Sequence, residues 1–491
     1  MRRGLARSCA LLLAVALVGV TGAASAQPIV DHPSKLVFPE LSFSPPSPEQ
    51  FRVDLGDGLV VYIAEDPTLP TFEMSARWYG GSFGDPPGKE GLAGMAYTLM
   101  RQGGTERMAA DDLDARLEFL AASIGTWAGD RASGASVWCL AKDTEEVLSL
   151  MADVLFRPAF AEDKIRLERD QQLQALRHRY DSADDLLNTR LPRFLYGDAP
   201  PGRLDTVSSV SSITRDDLVT YHREHGVPSN LVVCVSGSFE KQAMLDRIKA
   251  LFAERSREPV APVAHNTRTE LPGATKPGVY LLNKAMPEVT VQVVHLGIDR
   301  HNPDFIPLQI MNRILNSPKS GISKRVRDDE GLAYGAWAFV GAPVGYAGSL
   351  GAGLSCKGND AAYAISLALE QLRAVREKEV DDAELSLAKE SWLNTFPAAF
   401  STPFAVLERL ASLEFDGLPM DYYQTLREQI SKVTKADVLR VARDHVQPER
   451  FLVVISGDAA LVQGGNPDHP ASVSEFGEVR VIEPGDPGEG T

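Results

Sequence analysis

Apolar and polar residues alternate through short runs early in the chain, then give way to longer stretches at helical spacing. FRVDLGDGLVVYIAED alternates on both sides of Asp57-Gly58, which predicts a β-hairpin. PTFEMSARWYGGSFGD predicts another strand running into a Gly/Asp/Pro loop, and GKEGLAGMAYTLMRQGGT a short helix closed by Gly103-Gly104. Leu113, Leu117 and Leu120 fall at helical spacing behind Asp111 and Asp112. GTWAGDRASGASVWCLAK predicts two strands or one bulged strand, and TEEVLSLMADVLF a helix that stops at Pro158. A long charged helix follows from about Glu162 to His178. SITRDDLVTYHREH, NLVVCVSGSF and KQAMLDRIKALFAER then close the first half as capped helix, strand and helix.

Residues 257–278 hold four prolines and few large apolar residues, which reads as a linker. Beyond them the succession returns. VYLLNK and TVQVVHLGI predict strands, DFIPLQIMNRIL a helix, GSLGAGLSCK a strand, and AAYAISLALEQLRAVREK and DDAELSLAKESWLNTF two long helices. SKVTKADVLRVARDHVQPERFLVVISGD repeats the helix–Pro–strand–Gly ending of the first half. Two copies of one unit are therefore expected, at residues 27–256 and 279–464, with a loose Gly/Pro/acid-rich tail at 465–491.

Charge narrows the partners. The 491 residues carry a formal charge of −16, which disfavours nucleic acid and anionic membrane surfaces. Arg2, Arg3 and Arg7 precede LLLAVALVGV and an Ala24-Ser25-Ala26 site, so residues 1–26 read as a secretory signal peptide and a bacterial periplasm is the expected location. No later stretch is long and apolar enough to span a membrane. Cys139, Cys234 and Cys356 lie in strand-like runs at wide spacing and read as buried thiols. His222-Arg223-Glu224-His225 has its two His three apart at a helix end, where polar surface residues are the simplest account.

Residues 88–105 resemble the signature helix of the insulinase-like (M16) zinc peptidases, which carries H-x-x-E-H. In that motif two His on one helix face hold zinc, and the Glu takes a proton from the metal-bound water. Laid on this chain, the motif falls on Gly94, Tyr97 and Thr98, and the third ligand, from E-R-x-x-x-x-x-E, falls on Ala175. None of the four can do the family's work: Gly and Ala have no ligand atom, Tyr is a poor base and Thr a weak ligand. The resemblance implies an α+β fold: two homologous domains, each a mostly antiparallel sheet covered on one face by helices, forming a clamshell.

In the second half, Val326–Tyr334 resembles the family's L-R-E-x-x-G-L-A-Y segment. There the Arg and Tyr hold substrate main chain and stabilise the oxyanion, which places Arg327 and Tyr334 in those roles; a guanidinium and a phenol suit developing negative charge. On the residues alone, Arg327 instead pairs with Asp328 or Asp329 and Tyr334 packs. The chain departs from the family in having LNSPKSGIS in place of a Gly-rich loop. GASVWCLAK resembles the edge strand that pairs with extended peptides. The resemblance implies a non-catalytic subunit that binds no cofactor itself. It would lend Arg327 and Tyr334 to an H-x-x-E-H-bearing partner that holds zinc and cuts an extended peptide. A peptide-binding or scaffold protein of the cell envelope, cleaving nothing, is the alternative.

Overall fold

Asp57 and Gly58 both take positive φ (50° and 79°), and Leu59 N–H donates to Gly56 O across them, so the first alternating run folds back as a hairpin. The computed structural model describes residues 43–256, 258–260 and 276–483, with His32 and Gly485. The expected signal peptide and most of the expected linker lie outside the described residues. In the first half the strands are β1 (Arg52–Asp54), β2 (Leu59–Glu65), β3 (Thr71–Tyr79), β4 (Ser123–Ala128), β5 (Ala132–Leu140) and β6 (Leu231–Gly237), ordered β1-β2-β6-β3-β5-β4. In the second they are β7 (Gly278–Asn283), β8 (Glu288–Leu296), β9 (Ala333–Val340), β10 (Ser349–Lys357), β11 (Leu452–Gly457) and β12 (Val479–Ile482), ordered β12-β7-β11-β8-β10-β9.

Leaving aside β1 and β12, the two sheets match pair for pair: β2 with β6 and β7 with β11 run parallel, and the other pairs antiparallel. The loose tail expected after Gly464 contributes β12, which pairs with β7 because VRVI supplies branched residues to an open sheet edge. GASVWCLAK is β5, an interior strand between β3 and β4, so the free edge belongs to β4. Of the two expected forms of GTWAGDRASGASVWCLAK, the structure has two strands, separated by Gly129-Asp130-Arg131.

The first half's helices are α1 (Leu92–Gln102), α2 (Ala110–Phe119), α3 (Thr144–Phe156), α4 (Glu162–His178), α5 (Ala183–Tyr196), α6 (Val207–Ser212), α7 (Arg215–His225) and α8 (Lys241–Leu251). The second half's are α9 (Phe305–Leu315), α10 (Ala361–Glu377), α11 (Asp382–Thr395), α12 (Pro403–Phe415), α13 (Tyr422–Lys432), α14 (Lys435–His445) and α15 (Ala459–Gly464). The repeat extends to detail. Thr214 and Asp217 form a capping box on α7, and Thr434 and Asp437 form its counterpart on α14.

Each sheet buries one face against its own half's helices. Val61, Met74, Trp78 and Val137 pack with Met95, Leu113, Met151 and Ile248, and the second core repeats this with Val291, Leu354, Ile310 and Ile365. The opposite faces are covered crosswise. α12 of the second half lays Leu407, Leu410 and Ala411 on Val60, Tyr62 and Cys234 of the first sheet. α5 of the first half lays Leu186, Leu187 and Leu195 on Leu282, Val294 and Val454 of the second. Each fully buried leucine is worth about 2 kcal/mol, so these helices fasten the halves as firmly as a core does. The three cysteines are free and buried, and burial holds the Cys356 thiol at about 12.

Polar contacts fix the register of the exchange. Glu414 of α12 accepts from Arg52 Nε and Nη2 at 2.9 and 2.7 Å and from the Tyr62 hydroxyl at 2.8 Å. Glu408 accepts from Arg77 at 2.8 Å and from Ser75. Burial acts to raise the Glu414 carboxyl, and its three donors outweigh that, leaving it below the ordinary glutamate value. Glu414→Ala is expected to cost about 2–4 kcal/mol in urea unfolding, because it strands a half-buried guanidinium. That difference should persist above about pH 4.3, the unfolded value, and shrink as pH falls through the lowered folded value. A change below about 0.5 kcal/mol at neutral pH would contradict it.

Candidate functional site

Helix α1 starts because its first amides find an acceptor six and eight residues upstream. The Asp85 carboxylate accepts from Gly91 N–H and Ala93 N–H, each at 2.9 Å, which satisfies donors that a helix start leaves open. Burial pushes the Asp85 carboxyl up to about 6, against the pull of those amides. Gly103 and Gly104 (φ 76°) end the helix. Asp85 was not singled out in the sequence because it precedes the helix by a Pro-Pro-Gly loop; only its place ahead of an apolar run could have flagged it.

The helix carries three of the four degenerate positions, and the structure gives each a different setting. Gly94 and Thr98, one turn apart, are both partly exposed, and a Cβ added at Gly94 would meet nothing within 4 Å. Tyr97 is 1% exposed; its hydroxyl accepts from Trp78 Nε1–H at 2.8 Å and donates to His225 O at 3.1 Å. Burial drives its pKa well above the ordinary tyrosine value. Where the resemblance would put a general base, this chain has a core hydroxyl holding α1 to β3 and to the end of α7.

The fourth position, Ala175, is an exposed methyl on α4. Thr98 lines a cavity of about 500 Å³ between α1, β4 and α4, together with Arg101, Thr126, Lys164, Glu168 and Gln171. Arg101 and Lys164 are already engaged there, by Asp114 and Asp111. Gly94, Tyr97, Thr98 and Ala175 therefore do not fit a zinc ion: two have no donor and one is committed to the core. Among the described residues, no group of three or more His, Cys, Asp or Glu is placed to hold a metal. His222 is half-buried, bonded to Leu155 O at 2.7 Å, and burial lowers its pKa, so the H-R-E-H run forms no ligand pair.

Arg327 sits in a π-helical turn, Lys324–Asp329, with its side chain 51% exposed and its Nε–H donating to Asp328 at 2.9 Å. Tyr334 is the second residue of β9, where the pairing with β10 shifts between Ser355 and Cys356. That bulge lets Ala333 and Ala336 both reach the core while Tyr334 stands 86% exposed on the other side. This is the side of the sheet on which α5 lies, since Phe339 of the same strand joins the α5 cluster. Trp337 shares it, stacked over Gly353, where a Cβ would come within 2.6 Å of the ring. The first sheet repeats the device: Trp127 of β4 covers Gly134 of β5.

The two sheet edges differ. On β9 the Asn316 side chain caps both Ala338 N–H and Ala338 O, at 3.0 and 2.9 Å, and Gln309 caps Val340 O at 3.0 Å. On β4, among the described residues, Arg101 takes Ile124 O at 3.1 Å. Strand edges left unpaired accept added chains, so β4 is the open template.

Among the described residues, the site is thus a helix pair without a metal-ligand set, set against one of two duplicated mixed sheets. Residues 212–391 match the family model described as "Peptidase M16 inactive domain". An uncharacterized zinc protease of Mycobacterium bovis is 26% identical over 328 residues, covering 65% of this chain and 73% of that protein. One from Streptomyces coelicolor is 21% identical over 415 residues, covering 82% and 89%. A probable mitochondrial-processing peptidase subunit beta from Arabidopsis thaliana is 24% identical over 273 residues, 55% of this chain and 51% of that one. Among solved structures, a peptidase M16 inactive domain from Pseudomonas fluorescens superposes with TM-score 0.72 at 20% identity, covering 83% of this chain and 98% of that one. A protease from Helicobacter pylori gives 0.71 at 17% identity, covering 82% and 98%. Residues 212–391 thus match the M16 inactive domain, and the described chain shares the fold of the solved M16 inactive domain.

Two substitutions test the reading of α1. Tyr97→Phe is expected to cost about 1–3 kcal/mol, since it leaves the buried Trp78 N–H without its acceptor. Gly94→Ala is expected to gain about 0.5–1 kcal/mol, because the space is open and glycine weakens a helix interior. Urea unfolding of both variants checks this; a destabilised Gly94→Ala would mean the position has a role that open space does not reveal.

Proposed function

We propose that this chain is the non-catalytic subunit of a heterodimeric M16-type zinc peptidase. A partner with an intact H-x-x-E-H would hold the zinc and perform hydrolysis. This chain would close the chamber and present Arg327 and Tyr334 to the peptide bound there. One contrast carries the proposal. The positions that would grip a metal are filled by groups that cannot, whereas the guanidinium and the phenol remain and reach solvent. A phenol 86% exposed at a strand bulge contributes little to stability, so its retention fits a contact outside the chain.

The supporting comparisons are coarser. The matching family model is described as an inactive domain, and one relative is named as a peptidase subunit. The open β4 edge favours a second reading, in which the chain binds extended peptide by strand addition and cleaves nothing. Secretion into a bacterial periplasm belongs to either reading and rests on the N-terminal sequence pattern.

Mixing the chain with a zinc-bearing M16 subunit from the same source and following cleavage of a quenched fluorescent peptide separates them. Stimulation at least tenfold over the partner alone is expected. Arg327→Ala and Tyr334→Phe should each reduce the stimulated kcat by about 100–1000-fold, the range for losing one oxyanion donor, with binding of the two chains unchanged. Stimulation that survives both substitutions would overturn the donated-residue role, and peptide binding without any stimulation would favour the scaffold.

A further inference from the structure

The crosswise helix α12 covers only part of the first sheet. On β3 the residues Phe72, Met74, Ala76 and Trp78 enter the core, and Glu73, Ser75, Arg77 and Tyr79 point the other way. Ser75, Arg77 and Tyr79 all meet α12, Tyr79 stacking on Phe415 with ring centres 4.4 Å apart. Glu73 stands beyond these contacts. Directly opposite residues of paired strands share a face, so Trp138, paired with Glu73, stands beside it, and Trp127 over Gly134 follows on the same side.

Two observations mark this strip as a binding surface. Trp127 and Trp138 are 37% and 40% exposed, large rings left at the surface of a sheet whose floor between them is Gly125, Gly134 and Ser136. Glu73 is half-buried, and among the described residues no hydrogen bond or ion pair reaches its carboxylate. Its nearest charged neighbour in effect is Glu408, already engaged by Arg77 and Ser75; burial and that like charge both push the Glu73 carboxyl up. A partly desolvated carboxylate beside an indole face lacks one thing, a cation.

We infer that Glu73 and Trp138 form a subsite for a lysine or arginine side chain of an extended peptide lying along the uncovered face of the first sheet. The carboxylate supplies the ion pair and the indole the cation–π face, a combination that favours a flat guanidinium over an ammonium. Trp127 of β4 and Trp138 of β5, the latter opposite Ser123, mark the two ends of the β4–β5 pairing, so the peptide between them is about four residues long at the rise of a strand. This subsite rests on the chain handling peptides, and it is independent of any partner or cleavage.

The test measures binding to the full chain by itself, by fluorescence anisotropy with a labelled, end-blocked Ala/Ser octapeptide carrying one central arginine, against the same peptide with citrulline. Arginine is expected to bind at least about tenfold tighter, and Glu73→Gln to erase that difference with the fold intact by circular dichroism. Trp138→Phe should weaken the arginine peptide several-fold while leaving the citrulline peptide unchanged. Equal affinity for the two peptides, no binding of either, or discrimination that survives Glu73→Gln would each overturn the subsite. A failed cleavage assay alongside intact arginine discrimination would sink the partner role and leave the subsite standing; stimulated cleavage with no charge discrimination would do the reverse.

Discussion

The crosswise exchange of α5 and α12 is the constraint on which the rest of the molecule depends. Each sheet buries one face under its own helices and borrows its second cover from the other half. Neither half is complete alone, which is why the duplicated sequence folds into one body from Ser44 onward. The exchange is also directional. Glu408 and Glu414 lie six residues apart on α12 and grip Arg77 and Arg52 on two separate strands, which fixes how far along the sheet the helix sits. Tyr196 O–H reaches Ala347 O at 2.9 Å from the end of α5, and Tyr346 packs against both Tyr196 and Phe83 at the seam.

This arrangement explains how the helix that carries Gly94, Tyr97 and Thr98 is held without a metal. α1 is held by its apolar face, by the Asp85 cap and by the Thr126 hydroxyl donating to Tyr97 O at 2.5 Å, none of which needs a ligand. Tyr97 is structural where the resemblance would put a general base, because its phenol fills core volume and finds its own partner in Trp78. The sheet edges show the same division of labour. Side-chain amides seal β9, whereas β4 keeps an edge beside the cavity that contains Thr98.

Much of the fold was legible in the residues. The Asp57-Gly58 turn, the Thr214 and Thr434 caps and the repeated helix–strand endings are local signals, read from a few neighbouring positions. The placement of Gly94, Tyr97 and Thr98 on one helix and of Ala175 on another was legible too, from helical periodicity. What escaped was set by distance. No local pattern states that α12 covers the other half's sheet, that VRVI near the C-terminus pairs with β7, or that β4 rather than β5 is the edge. Glu73 was invisible for the same reason: an acidic residue in an alternating strand reads as ordinary solvent face until its neighbours are known. Tyr334 was named from its motif, but its exposure follows from a register shift that involves β10.

The central claim is that the metal-free lobe has lost its role in chemistry while the far lobe still addresses the peptide. A structure of this chain bound to a zinc-bearing M16 subunit, with a peptide trapped by an inactivating substitution in that partner, tests it most directly. The account expects the Arg327 guanidinium and the Tyr334 hydroxyl within about 3 Å of peptide main-chain oxygens. Both side chains lying a helix diameter or more, about 10 Å, from an ordered peptide would contradict it.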